Sequence, residues 1–265
     1  MQELGFILAG LVVGTAVGAT GVGGGSLMTP ILILFCGIKP AIAVGTDLLY
    51  ASISKAFGVA LHGRNGSVNW KIVAWMSAGS VPATLLTLLV LHLVGAGPGL
   101  DRLIKLVLAA AIITTATFTL LQDPILRLMK NCGIAFDAQA LLRWQRPLTL
   151  LSGLLIGTLV TISSVGAGVI GMMLLLLLYP KERPIALVGS DLAHAVLITG
   201  IAGLGHAGIG SVDCRMLVLL LTGALPGIWL GTRIGFRLSP RLLRRGVAGF
   251  LIFIGVTMVT SVLAR

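Results

Sequence analysis

The stretch "GATGVGGGSLMTP", Gly18 to Pro30, breaks an apolar run from Leu4 to Ile38 with Gly21, Gly23, Gly24 and Gly25. Flexible backbone exposes N–H and C=O groups that lipid cannot satisfy. Broken backbone at membrane depth is therefore tolerated only where protein or a water-filled cavity surrounds it. The stretch predicts a turn enclosed within a membrane protein, and the rest of the chain has to supply the enclosure.

Composition supports this reading. Of 265 residues, 57% are hydrophobic and 10% charged, with a mean hydropathy of +1.07, which leaves too little polar surface to coat a soluble globule. The apolar segments are long and continuous rather than alternating with period two, so an all-α polytopic membrane protein is predicted and not a barrel. The 36 glycines are about twice the usual share of roughly 7% and suit close helix packing through small residues. A net charge of +11 would elsewhere raise nucleic acid as a partner. Here the basic residues fall mostly in short loops between apolar segments, so the membrane accounts for them and no nucleic-acid partner is expected. Cys36, Cys132 and Cys214 lie far apart with no metal-like spacing, so neither a metal nor a cofactor is expected. Only Glu3 is charged ahead of the first apolar run. Without a basic n-region, that run reads as a membrane segment rather than a cleaved signal.

Ten apolar runs emerge, at roughly 4–20, 26–38, 41–61, 72–94, 103–121, 148–163, 166–179, 185–205, 216–235 and 242–264. A polar stretch, 122–147, reads as a cytoplasmic linker between a first membrane repeat (1–121) and a second (148–265). The halves resemble each other. "GLVVGTAVGATGVGGG" from Gly10 lies over "GLLIGTLVTISSVGAG" from Gly153, and "AVGTDLL" from Ala43 over "LVGSDLA" from Leu187. His62 matches His206, "GSVN" from Gly66 matches "GSVD" from Gly210, and Gly79 with Pro82 matches Gly223 with Pro226. The offset is 143 residues at first and 144 later, as one inserted residue in the loop at Lys181 would produce. Each half holds an odd number of segments, so the second enters from the opposite side and the repeat is inverted. With both termini outside, thirteen Lys or Arg residues, among them Arg64, Lys71 and Arg146, fall inside. Only Lys39, Arg102, Lys105, Arg215 and Arg265 fall outside, which orients a multi-pass protein of the cell (inner) membrane.

The second and seventh runs have 13 or 14 residues, about 20 Å of helix against a hydrocarbon core of about 30 Å. Each is read as part of a re-entrant helical hairpin opening its repeat, although two full crossings would give the same topology. Short, glycine-broken segments at matching positions of inverted halves point to a transporter's midplane site. A glycine turn before a helix start presents free N–H groups and the positive dipole end, which suit an anion. The candidate substrate-binding residues are Gly23, Gly24, Gly25 and Ser26 in the first half, and Ser163, Ser164, Val165, Gly166 and Gly168 in the second. The competing reading is that these glycines only allow helices to cross closely.

"GVGGGSLMTP", "AVGTDLLYASISKAFGVALHGRNGSVNW" and the echo "GSDLAHAVLITGIAGLGHAGIGSVD" resemble the sulfite exporter TauE/SafE family of membrane permeases across both halves. The resemblance implies a secondary transporter of small anions, typically sulfite, sulfoacetate or related sulfur-containing anions. The second half departs from the family pattern, with Ser163, Ser164 and Ala167 where glycines are common.

Several polar residues lie inside apolar runs. Asp47 and Asp191 match each other about two turns past Pro40 and Pro184, which read as first-turn prolines. A carboxylate at such depth costs roughly 2.5 to 3.5 kcal/mol on insertion scales, so each needs a cavity or a partner. They are candidates for coupling a proton or sodium ion. The alternative is that Thr46 with Asp47, and Ser190 with Asp191, bond neighbouring helix ends. Lys55, whose counterpart is Thr199, suits an anionic substrate or a pairing with an aspartate. Tyr50 and His194 follow their aspartates by three residues and are candidate relays or donors. His62 and His206 read as interfacial or capping. A carrier is the leading function and a passive anion channel its rival. A membrane-embedded hydrolase has no GxSG or HExxH motif to support it, so no enzyme activity is expected. The expected partners are a small anionic substrate and the lipid bilayer, with a homodimer left open.

Overall fold

The computed structural model describes residues 2–20, 25–63, 68–95, 97–131, 138–235 and 240–263, and every regular element among them is helical. In chain order they are α1 (Gln2–Thr20), α2 (Gly25–Leu34), α3 (Pro40–Gly63), α4 (Trp70–Val94) and α5 (Pro98–Asn131), followed by α6 (Ala138–Ser163), α7 (Val169–Leu178), α8 (Pro184–Gly208), α9 (Cys214–Gly235) and α10 (Pro240–Leu263).

Every apolar run becomes a helix, with two differences from the sequence reading. The second run is helical only to Leu34. Beyond it, Phe35 N–H donates to Ile31 O, Ile38 N–H donates to Leu32 O, and Gly37 at φ 67° turns the chain toward α3. The stretch read as a polar linker is largely helical, since α5 runs on to Asn131 and α6 begins at Ala138. Its Leu, Met, Lys and Arg residues are good helix formers whatever solvent they meet. Polarity there ends the apolar spans, at Gln122 and Trp144, without ending the helices.

Among the described residues, five helical spans are long and apolar enough to cross a membrane: Trp70–Val94, Pro98–Gln122, Trp144–Ser163, Pro184–Gly208 and Cys214–Arg233. In contrast, α2 and α7 have 10 residues each, about 15 Å and so half the hydrocarbon thickness. The longer helices expose rows of large apolar side chains, such as Leu85, Leu86, Leu89 and Leu93 on α4, as lipid-facing surfaces do. Exposed threonines on these faces bond back within their own helix. Thr114 donates to Ala110 O at 2.8 Å, Thr117 to Ile113 O at 2.8 Å and Thr257 to Phe253 O at 2.8 Å, so no hydroxyl is left bare toward lipid there.

Packing runs in pairs: α1 on α9, α4 on α6, α3 on α8 and α5 on α10. Glycine allows the first two pairs to approach backbone to backbone. A Cβ at Gly10 would strike Leu220 O, and one at Gly153, its counterpart, would strike Met76 O, the counterpart of Leu220. Gly14 against Ala224 and Gly157 against Ser80 repeat the relation, as do Gly223 against Ile7 and Gly79 against Leu150. Two side-chain bonds recur in the same way. Asp213 N–H donates to Thr46 Oγ1 at 3.0 Å, and Asn69 N–H donates to Ser190 Oγ at 2.9 Å. One apolar core gathers around Met28, Leu32, Leu108, Ile112, Leu220 and Ile254, and the other around Met76, Ile104, Ile156, Leu175, Leu187 and Ile198. Between them, α3 contributes Ala43 and Tyr50 to the first core and Val44 and Leu48 to the second.

Because these glycine contacts are with backbone, they cannot relax by a rotamer change. Gly10→Leu and Gly153→Leu should each destabilise the protein by at least about 1–3 kcal/mol, the usual cost of overpacking. A lowered unfolding midpoint in detergent would register this. Gly246→Ala, where an added Cβ meets nothing within 4 Å, should leave the midpoint unchanged.

Candidate functional site

The turn between α6 and α7 is the second half's version of the glycine stretch, and it lies wholly within the described residues. Ser163 closes α6 by donating its hydroxyl to Leu159 O at 2.7 Å while accepting the Val165 N–H at 3.2 Å. Ser164 then adopts φ 59°, left-handed backbone that costs a non-glycine residue roughly 1–2 kcal/mol. Gly166 at φ 114° occupies a region that L side chains rarely adopt. Within the turn, Ser164 N–H donates to Val160 O at 2.7 Å and Gly168 N–H to Gly166 O at 2.9 Å. Gly171 N–H reaches Gly166 O at 3.2 Å and Met172 N–H reaches Gly168 O at 2.8 Å. The N–H groups of Gly166, Ala167 and Val169 are left with no hydrogen-bond partner among the described residues.

These orphaned donors border a small pocket with enclosed room for about one water-sized molecule. Ser26 at the start of α2 and Thr115 of α5 line it together with Ser164, Gly166, Ala167, Gly168 and Val169. The hydroxyls of Thr115 and Ser164 are buried without a hydrogen-bond partner. The starts of both short helices thus meet one cavity. Unpaired N–H groups at a helix start favour negative charge, and leaving buried donors unsatisfied costs about 1–3 kcal/mol each. An oxyanion would satisfy several of them at once.

Of the residues expected to bind substrate, Ser26, Ser164, Gly166 and Gly168 come together at this pocket. Ser163 and Val165 do not line it. Their polar atoms close the turn, and the Val165 side chain is buried in the first apolar core. Gly25 is the first residue of α2, while Gly23 and Gly24 lie outside the described residues. Thr115 was not anticipated. It sits in "IITTATFT" among other threonines, and only its tertiary position distinguishes it.

A charged cluster adjoins the pocket. Lys55 is buried and its ammonium donates to the carbonyl of Ala167, a pocket residue. It interacts electrostatically with both Asp47 and Asp191, yet no ion pair within 4.0 Å joins it to either. Asp47 Oδ2 accepts two bonds from α2, from Thr29 N–H at 3.2 Å and from the Thr29 hydroxyl. The Ser164 hydroxyl also interacts with the Asp47 carboxylate, without regular hydrogen-bond geometry. Asp191 accepts no hydrogen bond among the described residues and lies over Gly171, where a Cβ would collide with its carboxylate.

The remaining candidates have defined places. Thr46 and Ser190 hold the loops that precede α9 and α4. Tyr50 is buried within electrostatic range of Asp47. His194 shares a 2.9 Å bond between its Nε2 and Ser80 Oγ. His206, read as interfacial or capping, lies in the last turn of α8 and is buried, with Nε2 3.0 Å from Thr161 O across the contact with α6. A carbonyl only accepts, so this nitrogen carries the proton. Nδ1 has no partner. The His62 side chain lies outside the described residues.

Comparison with known proteins agrees with the geometry. The model of the family described as "Sulfite exporter TauE/SafE" matches residues 6–258. A relative from Bacillus subtilis (strain 168), described as "Probable membrane transporter protein YjnA", is 37% identical over 266 residues, covering 97% of this chain and 100% of that protein. No solved structure matches. With the family model spanning nearly its whole length and so similar a relative, this chain belongs to the sulfite exporter TauE/SafE family of multi-pass membrane transporters.

Proposed function

We propose that this protein is a secondary transporter that carries small anions across the cell (inner) membrane by alternating access. Its substrates are sulfur-containing oxyanions such as sulfite or organosulfonates, with sulfoacetate as an example. The observation that carries this reading is the pocket at the starts of α2 and α7, where three backbone N–H groups and the Thr115 hydroxyl have no acceptor among the described residues. A trigonal or tetrahedral oxyanion presents several acceptor oxygens, which the turn N–H groups and the Thr115 hydroxyl would meet from two elements. The family's description names sulfite export, which matches that chemistry.

The matching contacts of Gly10 with Leu220 and Gly153 with Met76 support two halves built alike and inverted in the membrane. The 10-residue lengths of α2 and α7 support hairpins that turn back within it. Charge favours a coupled carrier over a passive channel. Lys55 with Asp47 and Asp191 sums to one negative charge when all three are ionised. Even a monoanion such as hydrogen sulfite would raise this to two negative charges in a poorly polarisable interior, which favours a cation, either a proton or sodium, travelling with it.

Purified protein in proteoliposomes tests the reading through competition for sulfite flux by sulfate, thiosulfate, sulfoacetate and simple carboxylates. Uphill accumulation driven by an ion gradient is expected, whereas strictly downhill flux would indicate a channel. Thr115→Val should raise the KM for sulfite about tenfold or more, since a hydrogen bond to a charged group contributes about 1.5–3 kcal/mol; an unchanged KM would remove Thr115 from the site. Lys55→Met should lower the initial rate at least tenfold at normal yield, and unaltered kinetics would show that its charge does not serve the anion.

A further inference from the structure

Asp47 and Asp191 occupy matching positions but different surroundings. In the first half, α2 presents Thr29 to Asp47, and both its N–H and its hydroxyl donate to Oδ2. At the matching place α7 carries Met172, which has no hydroxyl to offer, and Gly171 stands where the first half has Met28. The space left above Gly171 holds the Asp191 carboxylate. Asp191 accepts no hydrogen bond among the described residues and is 6% exposed, whereas Asp47 is fully enclosed.

We propose that Asp191 is the residue that takes up a coupling proton and that Asp47 is an anchor holding α2 against α3; this rests on the transport reading above. Two donated bonds favour the ionised form of Asp47, and protonation would weaken both. Asp191 loses no such bond. A proton passing from water to an Asp191 oxygen takes the three-residue cluster from one negative charge to none. An incoming monoanion such as hydrogen sulfite then restores a single negative charge rather than creating a second. The charged group in electrostatic contact with Asp191 is Lys55 of α3. On its own helix, His194 lies three residues away. No residue of α7 is titratable, nor is any in the apolar part of α6 from Leu148 to Ser163, and α4 has Lys71 and His92 at its two ends.

Infrared difference spectroscopy of the full-length protein in liposomes, between acid and alkaline buffer, tests the assignment without needing transport. The wild type should show a protonated-carboxyl band that disappears in Asp191→Asn and persists in Asp47→Asn. Met172→Thr, which keeps Asp191 and sets a hydroxyl against it, should shrink the band at a given pH. In parallel, pH-gradient-driven sulfite accumulation should fall to a ratio of one in Asp191→Asn, and Asp47→Asn should lower thermal stability. A band that survives Asp191→Asn, or vanishes in Asp47→Asn, overturns the assignment, as does a wild type with no such band. If the band behaves as expected while no liposome accumulates sulfite, the proton site stands and the substrate reading fails.

Discussion

Inside a bilayer, a polar group that finds no partner in the protein finds none at all, and this constraint organises the structure described here. Threonine hydroxyls on lipid-facing surfaces return to the preceding turn of their own helix. The loops before α4 and α9 hook onto Ser190 and Thr46. Glycines at Gly10, Gly14, Gly153 and Gly157 allow backbones to touch where ordinary side chains would hold them apart. Against so much satisfaction, the exceptions are informative. Several of them meet at Gly166, Ala167, Val169, Thr115 and Ser164, with the Lys55 ammonium on the carbonyl side of the same turn.

The fold could be read in the sequence because membrane helices are written in long apolar runs, and each of the ten runs became a helix. The polar stretch 122–147 carries much of its length in helix, since helix formation does not require apolar residues and α5 and α6 run on beyond their apolar spans. The site was half visible. Glycine spacing marked the α6–α7 turn, and Ser26, Ser164, Gly166 and Gly168 do share a pocket. Spacing could not say that Ser163 and Val165 would spend their polar atoms on closing the turn, because that depends on the left-handed backbone at Ser164. Nor could it select Thr115 from its neighbours. His206 lies in the last turn of α8, and its ring is buried against α6.

Packing and chemistry part company between the two halves. The glycine contacts and the loop hooks coincide at matching positions, so the scaffold is built alike on both sides. The polar residues near the charged cluster do not match. Thr29 faces Met172, Lys55 faces Thr199, Tyr50 faces His194 and Ser80 faces Ala224 across the repeat. Thr199 bonds back to Ala195 O and does nothing further in the cluster. Geometry common to the halves therefore positions the site, while the matched Asp47 and Asp191 together with the unmatched Lys55 give it charge.

The central claim is that the donors at the starts of α2 and α7 hold an oxyanion. Selenite has the shape and charge chemistry of sulfite and carries an atom that can be located by anomalous scattering. Crystals of the protein grown with selenite should show a selenium peak between Thr115, Ser164 and the Gly166–Val169 turn, displaced by added sulfite. A peak elsewhere in the protein, with this pocket empty at saturating selenite, would contradict the account.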